Sequence, residues 1–495
     1  MSSRPYGHGA GVALVLSLPL IPLLAPPAGG APASSPAAAT APPTTVLRPQ
    51  TVAPLPGSLD AVLMVNDNNP ELITAPGVLL STFPGAGRAH AEAHLDVPLS
   101  GRFDLFSHHV YAGRPESLDS TLWLAVLAQP RANQPLQLRL LAGSTALSQA
   151  TDDLQPAAPF LPLPALLPQD GSVFAGPGSR VATELLSRQR SALLPRQWTL
   201  QPGAPSTLVV LPLPVRGLDP LLNGRNLQLR LQSDGPVSLA TLAAFGQGDQ
   251  PPTASQWAAL LDGPLSPREH SPTPRGSKGG IVYSRVSGVQ IGSSWRATLT
   301  DPGQRWLSTS RAPISWPISS LERGSLGTGQ VQTAELQGFY PGTAWAAHGN
   351  YGVEYDLTIP LRNSGRTPVQ LQLQLDSPLK HDQPLGGLRF NASPGRAVMF
   401  RGTVEVSGLD GEAGQAGGSA PAGRRQFHLV QRSGQQGPAL GTVSLAPGAS
   451  RQLRVRLIYP ADATPPQVLS LLPMPTAAAA EAPVKQSPPP ASRQP

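Results

Sequence analysis

The 495-residue chain contains no cysteine. That excludes disulfides, thiolate metal sites, cysteine nucleophiles and a lipid-bearing cysteine near the N-terminus, so the fold must rest on burial of apolar surface. Lysine is scarce as well, Lys278, Lys380 and Lys485 being the only ones, and the formal charge of +7 comes almost wholly from arginine. The arginines are scattered, with no block interleaved with aromatics of the kind a nucleic-acid groove needs, which argues against a nucleic-acid partner. Attraction to an acidic cell-surface polymer stays open. Aromatic residues make up 5% of the chain and its end is rich in proline, which disfavours a membrane barrel. G-x-S-x-G, H-E-x-x-H, P-loop and G-x-G-x-x-G patterns are all missing, so the familiar hydrolase, zinc-protease and nucleotide signatures are absent and no cofactor is expected.

What is present starts at the N-terminus. Arg4 and His8 precede an apolar run over residues 12–25, and the small residues Ala28, Gly30, Ala31 and Ala33 follow. This order reads as a secretory signal peptide over residues 1–33, since the run is too short to span a membrane and is interrupted by Pro19 and Pro22. The expectation is an exported protein, periplasmic or extracellular and associated with the cell envelope, with no integral membrane insertion after cleavage. Residues 34–58 are a Pro/Ala/Thr-rich stretch predicted to be a disordered linker, and residues 474–495 a disordered tail. A Pro-, Gly- and charge-rich break over 263–280 marks the expected domain boundary, giving domains at 59–262 and 263–473. Residues 408–425 read as a long loop.

Sixty prolines and fifty glycines suit short strands joined by turns better than long helices. Apolar residues alternate with a period of two at Leu136, Leu138 and Leu140, and again at Leu227, Leu229 and Leu231. Asp234-Gly235 and then Val237 and Leu239 follow, a pattern that predicts a β-hairpin. Further strands are predicted over 102–112, 121–128, 208–215 and 281–289. Tyr351, Val353, Tyr355, Leu357, Ile359 and Leu361 share one face, Asn363-Ser364-Gly365 supplies a turn, and Val369, Leu371, Leu373 and Leu375 resume the alternation. With 398–406, 427–430, 441–445 and 453–459, some seven strands emerge in the second half. Two short helices are predicted, over 181–194 and 255–261, the latter with Thr253 and Gln256 spaced as a capping box. The fold class is mainly β: two β-sandwich domains, the second immunoglobulin-like, with one or two short helices.

Four stretches carry a resemblance. VNDNNPELITAPGVLLSTFPG from Val65, RFDLFSHHVYAG from Arg102, GTGQVQ from Gly327 and HGNYGVEYDLTIPL from His348 are similar to a family of exported cyanobacterial proteins whose shared domain has only an unknown-function label. The resemblance spans most of the chain between the two tails. It implies an exported, β-rich protein from a photosynthetic bacterium, and it carries over no functional residue.

His90, Glu92, His94 and Asp96 alternate with Ala91, Ala93, Leu95 and Val97, so a strand here would place four potential metal ligands on one face. The plainer reading is the wet face of a half-buried strand. His108 and His109 would point to opposite faces, one hydrogen-bonded in the core and the other exposed. Ser377 and Lys380 match an S-x-x-K spacing but lack the S-D-N and K-T-G partners that give it meaning. Asn66-Asp67-Asn68-Asn69 offers clustered oxygens without the spaced acids of a calcium loop, so a turn ending at Pro70 is the better reading.

The aromatics carry the one functional tilt. More than half of the Trp and Tyr content lies between Tyr283 and Tyr355. Trp295, Trp306, Trp316, Trp345, Tyr340 and Tyr351 are the candidate ligand-binding residues, because flat apolar faces with polar edges stack on sugar rings. Core packing is the competing use of the same rings. The function read from the sequence is a non-enzymatic cell-envelope structural or binding module, with envelope polysaccharide or another envelope protein as partner. The alternative is an envelope hydrolase or metal-dependent enzyme using His90, Glu92 and His94 with His108 or His109.

Overall fold

The computed structural model describes residues 45–114, 118–149, 160–162, 172–411 and 423–474. The expected signal peptide and C-terminal tail, and most of the loop at 408–425, lie outside the described residues apart from Met474.

The chain is mainly β, with two α-helices among the described residues. An eleven-stranded sheet is organised around the long strand Leu222–Phe245. The first half of this strand lies between Leu99–Ala112 and Leu136–Leu147, and the second half between Leu122–Pro130 and Gly77–Ser81. The change of partners occurs at 234–236, where the sequence predicts a hairpin. No hairpin forms there: Leu231 pairs with Phe103 and Leu140, and Val237 pairs with Leu99 and Pro130. Pro236 explains the difference, since a two-residue Asp-Gly turn would need its missing N–H to close the first rung. Both halves feed one core, in which Leu105, Leu138 and Leu229 meet Val126, Leu211 and Leu239.

A second sheet has seven strands, with Glu354–Arg362 and Ser450–Ile458 at its centre, and a third has five, including Ile314–Ile318, Gln467–Pro473 and Val369–Asp376. Alternation puts Tyr355, Leu357 and Ile359 of the second sheet and Leu371, Leu373 and Leu469 of the third into one shared core. These sheets hold more strands than the seven read from the sequence, and Ser294–Thr298 runs parallel to Glu354–Arg362.

Pairing crosses residue 263 in both directions. Ser287–Ile291 and Leu336–Phe339 extend the first sheet beside Leu63–Asp67. Conversely, Thr51–Val52 joins the third sheet and Ser58–Leu59 the second, while Thr45–Pro49 pairs with Gly387–Asn391. Residues 45–58, expected to belong to a disordered linker, are therefore built into the fold. Their side chains give the reason: Leu55 is buried in the core of the second and third sheets, and its backbone exchanges hydrogen bonds with the Gln330 amide.

Helix α1, Gly176–Leu186, starts earlier and ends earlier than expected. Pro177 fits the first turn, where its missing N–H is no loss, and the helix stops because Arg188 turns left-handed at φ 57°. Its buried face joins Val181, Ala182 and Leu185 to Ala146 of the first sheet and Ile458 of the second. Helix α2, Ala254–Leu260, carries the predicted capping box of Thr253 and Gln256. No helix among the described residues is long and apolar enough to cross a membrane.

Candidate functional site

The histidine and carboxylate candidates do not assemble. His90, Glu92 and His94 are not on a strand, because residues Ala91–Ala93 form a 3-10 turn. That turn separates the side chains by environment: His90 pairs with Glu92 at 3.0 Å in solvent, whereas His94 is buried and its Nδ1 lies 2.7 Å from the Ser81 hydroxyl. Burial, then Arg88, pushes the His94 imidazole down to about 4, so it sits neutral in the interior. Among the described residues no group of three or more His, Asp or Glu could hold a metal ion.

His108 and His109 point to opposite faces as expected, but neither is exposed. His109 Nε2 lies 2.9 Å from Asp67 Oδ2 and its Nδ1 lies 2.8 Å from the Pro70 carbonyl. A carbonyl only accepts, so Nδ1 carries a proton and fixes the ring. His108 lies 3.8 Å from Glu71, yet burial, with His109 adding, pushes it down to about 3, so the contact is not an ion pair at neutral pH. Around them Glu71 pairs with Arg285, the backbone N–H of Glu71 donates to Glu269 at 2.8 Å, and Arg268 donates to the Asn69 carbonyl. The Asn66–Asn69 run is thus a buried polar seam that ties residues 268–285 to the first sheet. Asn66 and Asp67 end a strand rather than forming the expected turn. Ser377 is buried against Gln431 and Lys380 is exposed.

The aromatic candidates divide. Trp295, Trp316, Tyr340 and Tyr351 are buried, so these four cannot stack on a ligand. The polar edges of three of them are used internally. The Trp295 indole donates to the Pro56 carbonyl at 2.8 Å, and Tyr351 donates to the Ala463 carbonyl at 3.0 Å. Tyr340 donates to the Ala93 carbonyl at 3.0 Å and accepts from the Ser81 N–H at 2.9 Å. Trp306 and Trp345 are half-buried, and each has an arginine over its ring, Arg362 at 5.0 Å and Arg275 at 4.2 Å.

Only Trp345 of these two lines a described pocket, a surface hollow with about 590 Å³ of non-protein space, part of it open solvent. Tyr283, half-buried, stands in the same wall, and Val282 and Val331 give it an exposed apolar rim. Burial raises the Tyr283 phenol, whose oxygen accepts from the Arg323 N–H at 3.3 Å. Arg275, Glu322 and the buried Ser284 supply polar groups. Trp345 and Tyr283 stood out in the sequence by their density, but Arg275 and Ser284 did not. Arg275 falls in the Pro/Gly-rich break that reads as a domain boundary, and a run of that composition gives no signal that it wraps a pocket.

The family profile described as a protein of unknown function, DUF3370, matches residues 50–473. The chain belongs to the DUF3370 family. Comparison with the curated proteins gives no match. Several residues of the motifs that carried the resemblance lie inside this DUF3370 fold: Asp67 and His109 in the polar seam, and Asn350, which donates to Tyr355 at 2.8 Å. The pocket residues Arg275, Tyr283, Ser284 and Trp345 lie outside those motifs.

Proposed function

We propose that this DUF3370 protein is an exported, non-enzymatic binding module of the cell envelope, that its ligand is a glycan, and that Trp345 and Tyr283 carry the contact. The observation behind this reading is the pocket in which a half-buried Trp345 and Tyr283 stand beside Arg275, Glu322 and Ser284. Concave sites of this kind, with aromatic walls and a few polar groups, are the usual form of small-ligand sites, and sugar rings present matching apolar faces. Export rests on the signal-peptide pattern of residues 1–33. The hydrolase alternative lacks the shared site that it needs, because His94 is tied to Ser81 and His109 to Asp67.

In this reading the architecture is two β-sandwich units, residues 59–262 and 263–473, that exchange segments: Ser287–Ile291 and Leu336–Phe339 complete the first, and residues 45–59 complete the second. Shared cores under paired sheets support it. A second reading, a partner protein at the same rim, draws on the exposure of Val282 and Val331, at 55% and 51%. Sedimentation of the full chain with purified envelope polysaccharide, peptidoglycan and membrane tests both. Retention by a polysaccharide and its loss in Trp345→Ala support the glycan reading. Retention by no glycan fraction, or retention indifferent to Trp345, overturns it.

A further inference from the structure

We infer that the Trp345 pocket selects a sugar ring bearing a carboxylate, and that Arg275 leaves the Trp345 face to grip that carboxylate. The inference rests on the glycan reading above and names the class of sugar.

Three features of the pocket point the same way. First, the stacking face is occupied: the Arg275 guanidinium lies 4.2 Å from the Trp345 ring centre, so a pyranose can stack there only if Arg275 moves. Arg275 is free to do so. Its one ion pair, to Glu335 at 2.8 Å, joins side chains that are 66% and 62% exposed, and solvent-exposed pairs of this kind contribute little. A carboxylate on the ligand replaces Glu335 as the partner of the displaced guanidinium, and a guanidinium binds a carboxylate through two parallel N–H donors.

Second, two basic residues border the pocket, partly offset by Glu322 and Asp382, whose charges act on Tyr283. Lys278 and Arg323 flank the pocket segment, and neither forms an ion pair among the described residues, Arg323 donating instead to the Gly279 carbonyl at 3.1 Å. Glu322 lines the wall and can accept from sugar hydroxyls. Third, Ser284 is 3% exposed and lines the pocket, and its Oγ has no hydrogen-bond partner among the described residues. A buried hydroxyl without a partner carries a desolvation cost that a ligand hydroxyl relieves.

The test is titration of the full chain, followed by Trp fluorescence or calorimetry at low salt, with a hexuronate tetramer and a neutral hexose tetramer. The expected result is tighter binding of the uronate by roughly ten-fold, the worth of one modest charge pair. Arg275→Gln brings uronate affinity down to that of the neutral sugar. Glu335→Gln, which frees Arg275 from its competitor, strengthens uronate binding. Both side chains are exposed, so neither change endangers the fold. Equal or tighter binding of the neutral sugar, still dependent on Trp345, overturns the carboxylate inference and leaves the glycan reading standing. Binding of neither tetramer overturns both. Uronate binding that survives Trp345→Ala overturns the assignment of the site.

Discussion

Arg230 Nη2 lies 2.8 Å from Glu354 Oε2, so an ion pair joins a central strand of the first sheet to a central strand of the second. It is one rung of a longer ladder. Arg230 also approaches Asp104 at 3.8 Å, Arg456 reaches Glu354 at 2.6 Å, and Arg456 reaches Glu405 at 2.8 Å. Burial opposes the charge on Glu354, yet Arg230 and Arg456 together hold its carboxyl below the usual range. The first and second sheets are thus joined by a chain of alternating charges as well as by the apolar face of α1.

Removing the central carboxylate leaves two mostly buried guanidinium groups facing each other. Glu354→Ala is expected to destabilise the protein by about 2–4 kcal/mol, at or below the usual range for breaking a buried pair because the groups keep some access to water. Urea unfolding measures the loss. A change below about 0.5 kcal/mol would show that the ladder contributes nothing net.

The start of α1 depends on Gly178 and an acid from a distant segment. Asp462 Oδ2 accepts from the Ser179 N–H at 2.8 Å, in the position of an N-terminal cap supplied from outside the helix. A Cβ at residue 178 would lie 2.7 Å from the Ala461 nitrogen and 2.9 Å from that carboxylate oxygen. Gly178→Ala is therefore expected to cost about 1–3 kcal/mol by overpacking, and Asp462→Ala about 1–2 kcal/mol by loss of the cap. Thermal melting of the two variants and their double mutant checks this. Non-additivity is expected because the residues touch.

Stability should depend on pH through groups of opposite sign. Burial lowers four imidazoles from 6.5, His94 and His428 to about 4, His108 and His348 to about 3. For these the unfolded chain binds the proton first, so the stability they confer is complete above 6.5 and is lost as pH falls toward 4 and 3. Burial instead raises the Asp462 carboxyl to about 6, so its contribution is greatest below the ordinary 3.8 and is lost as pH rises through 6. His428→Gln should accordingly lose less stability than the wild type between pH 7.5 and 5, and Asp462→Asn should lose more. Chemical denaturation of all three proteins at both pH values decides it. Parallel pH dependence in the three would overturn both assignments.

The sequence made some of this legible and hid the rest for identifiable reasons. Period-two alternation located Val369–Asp376 almost to the residue and Glu354–Arg362 with a start three residues too early, because each has one face in a common core. The same alternation could not say which strands pair, and Leu227–Leu231 followed by Val237–Leu239 looked like two strands when it is one bent strand. His90 to His94 mimicked a strand because short polar–apolar alternation is also compatible with a 3-10 turn. The aromatic cluster between Tyr283 and Tyr355 was visible, but counting rings does not tell a core indole such as Trp316 from a pocket indole such as Trp345. That distinction depends on residues far away in the chain, as when Pro56 supplies the partner of Trp295.

That division of the aromatics can be tested by stability. Tyr340 is 2% exposed and its hydroxyl serves two backbone groups, the Ser81 N–H and the carbonyl of Ala93, the last residue of the turn between His90 and His94. Tyr340→Phe keeps the ring and strips both partners, so it is expected to cost about 2–3 kcal/mol, the penalty for leaving buried groups unsatisfied. Trp345→Ala removes a larger side chain, yet from a pocket wall that already meets solvent, and is expected to cost about 1 kcal/mol or less. Equilibrium unfolding gives both values. The smaller deletion should be the more damaging one; if Trp345→Ala proves the costlier, the indole is a core element and loses its place as a ligand platform.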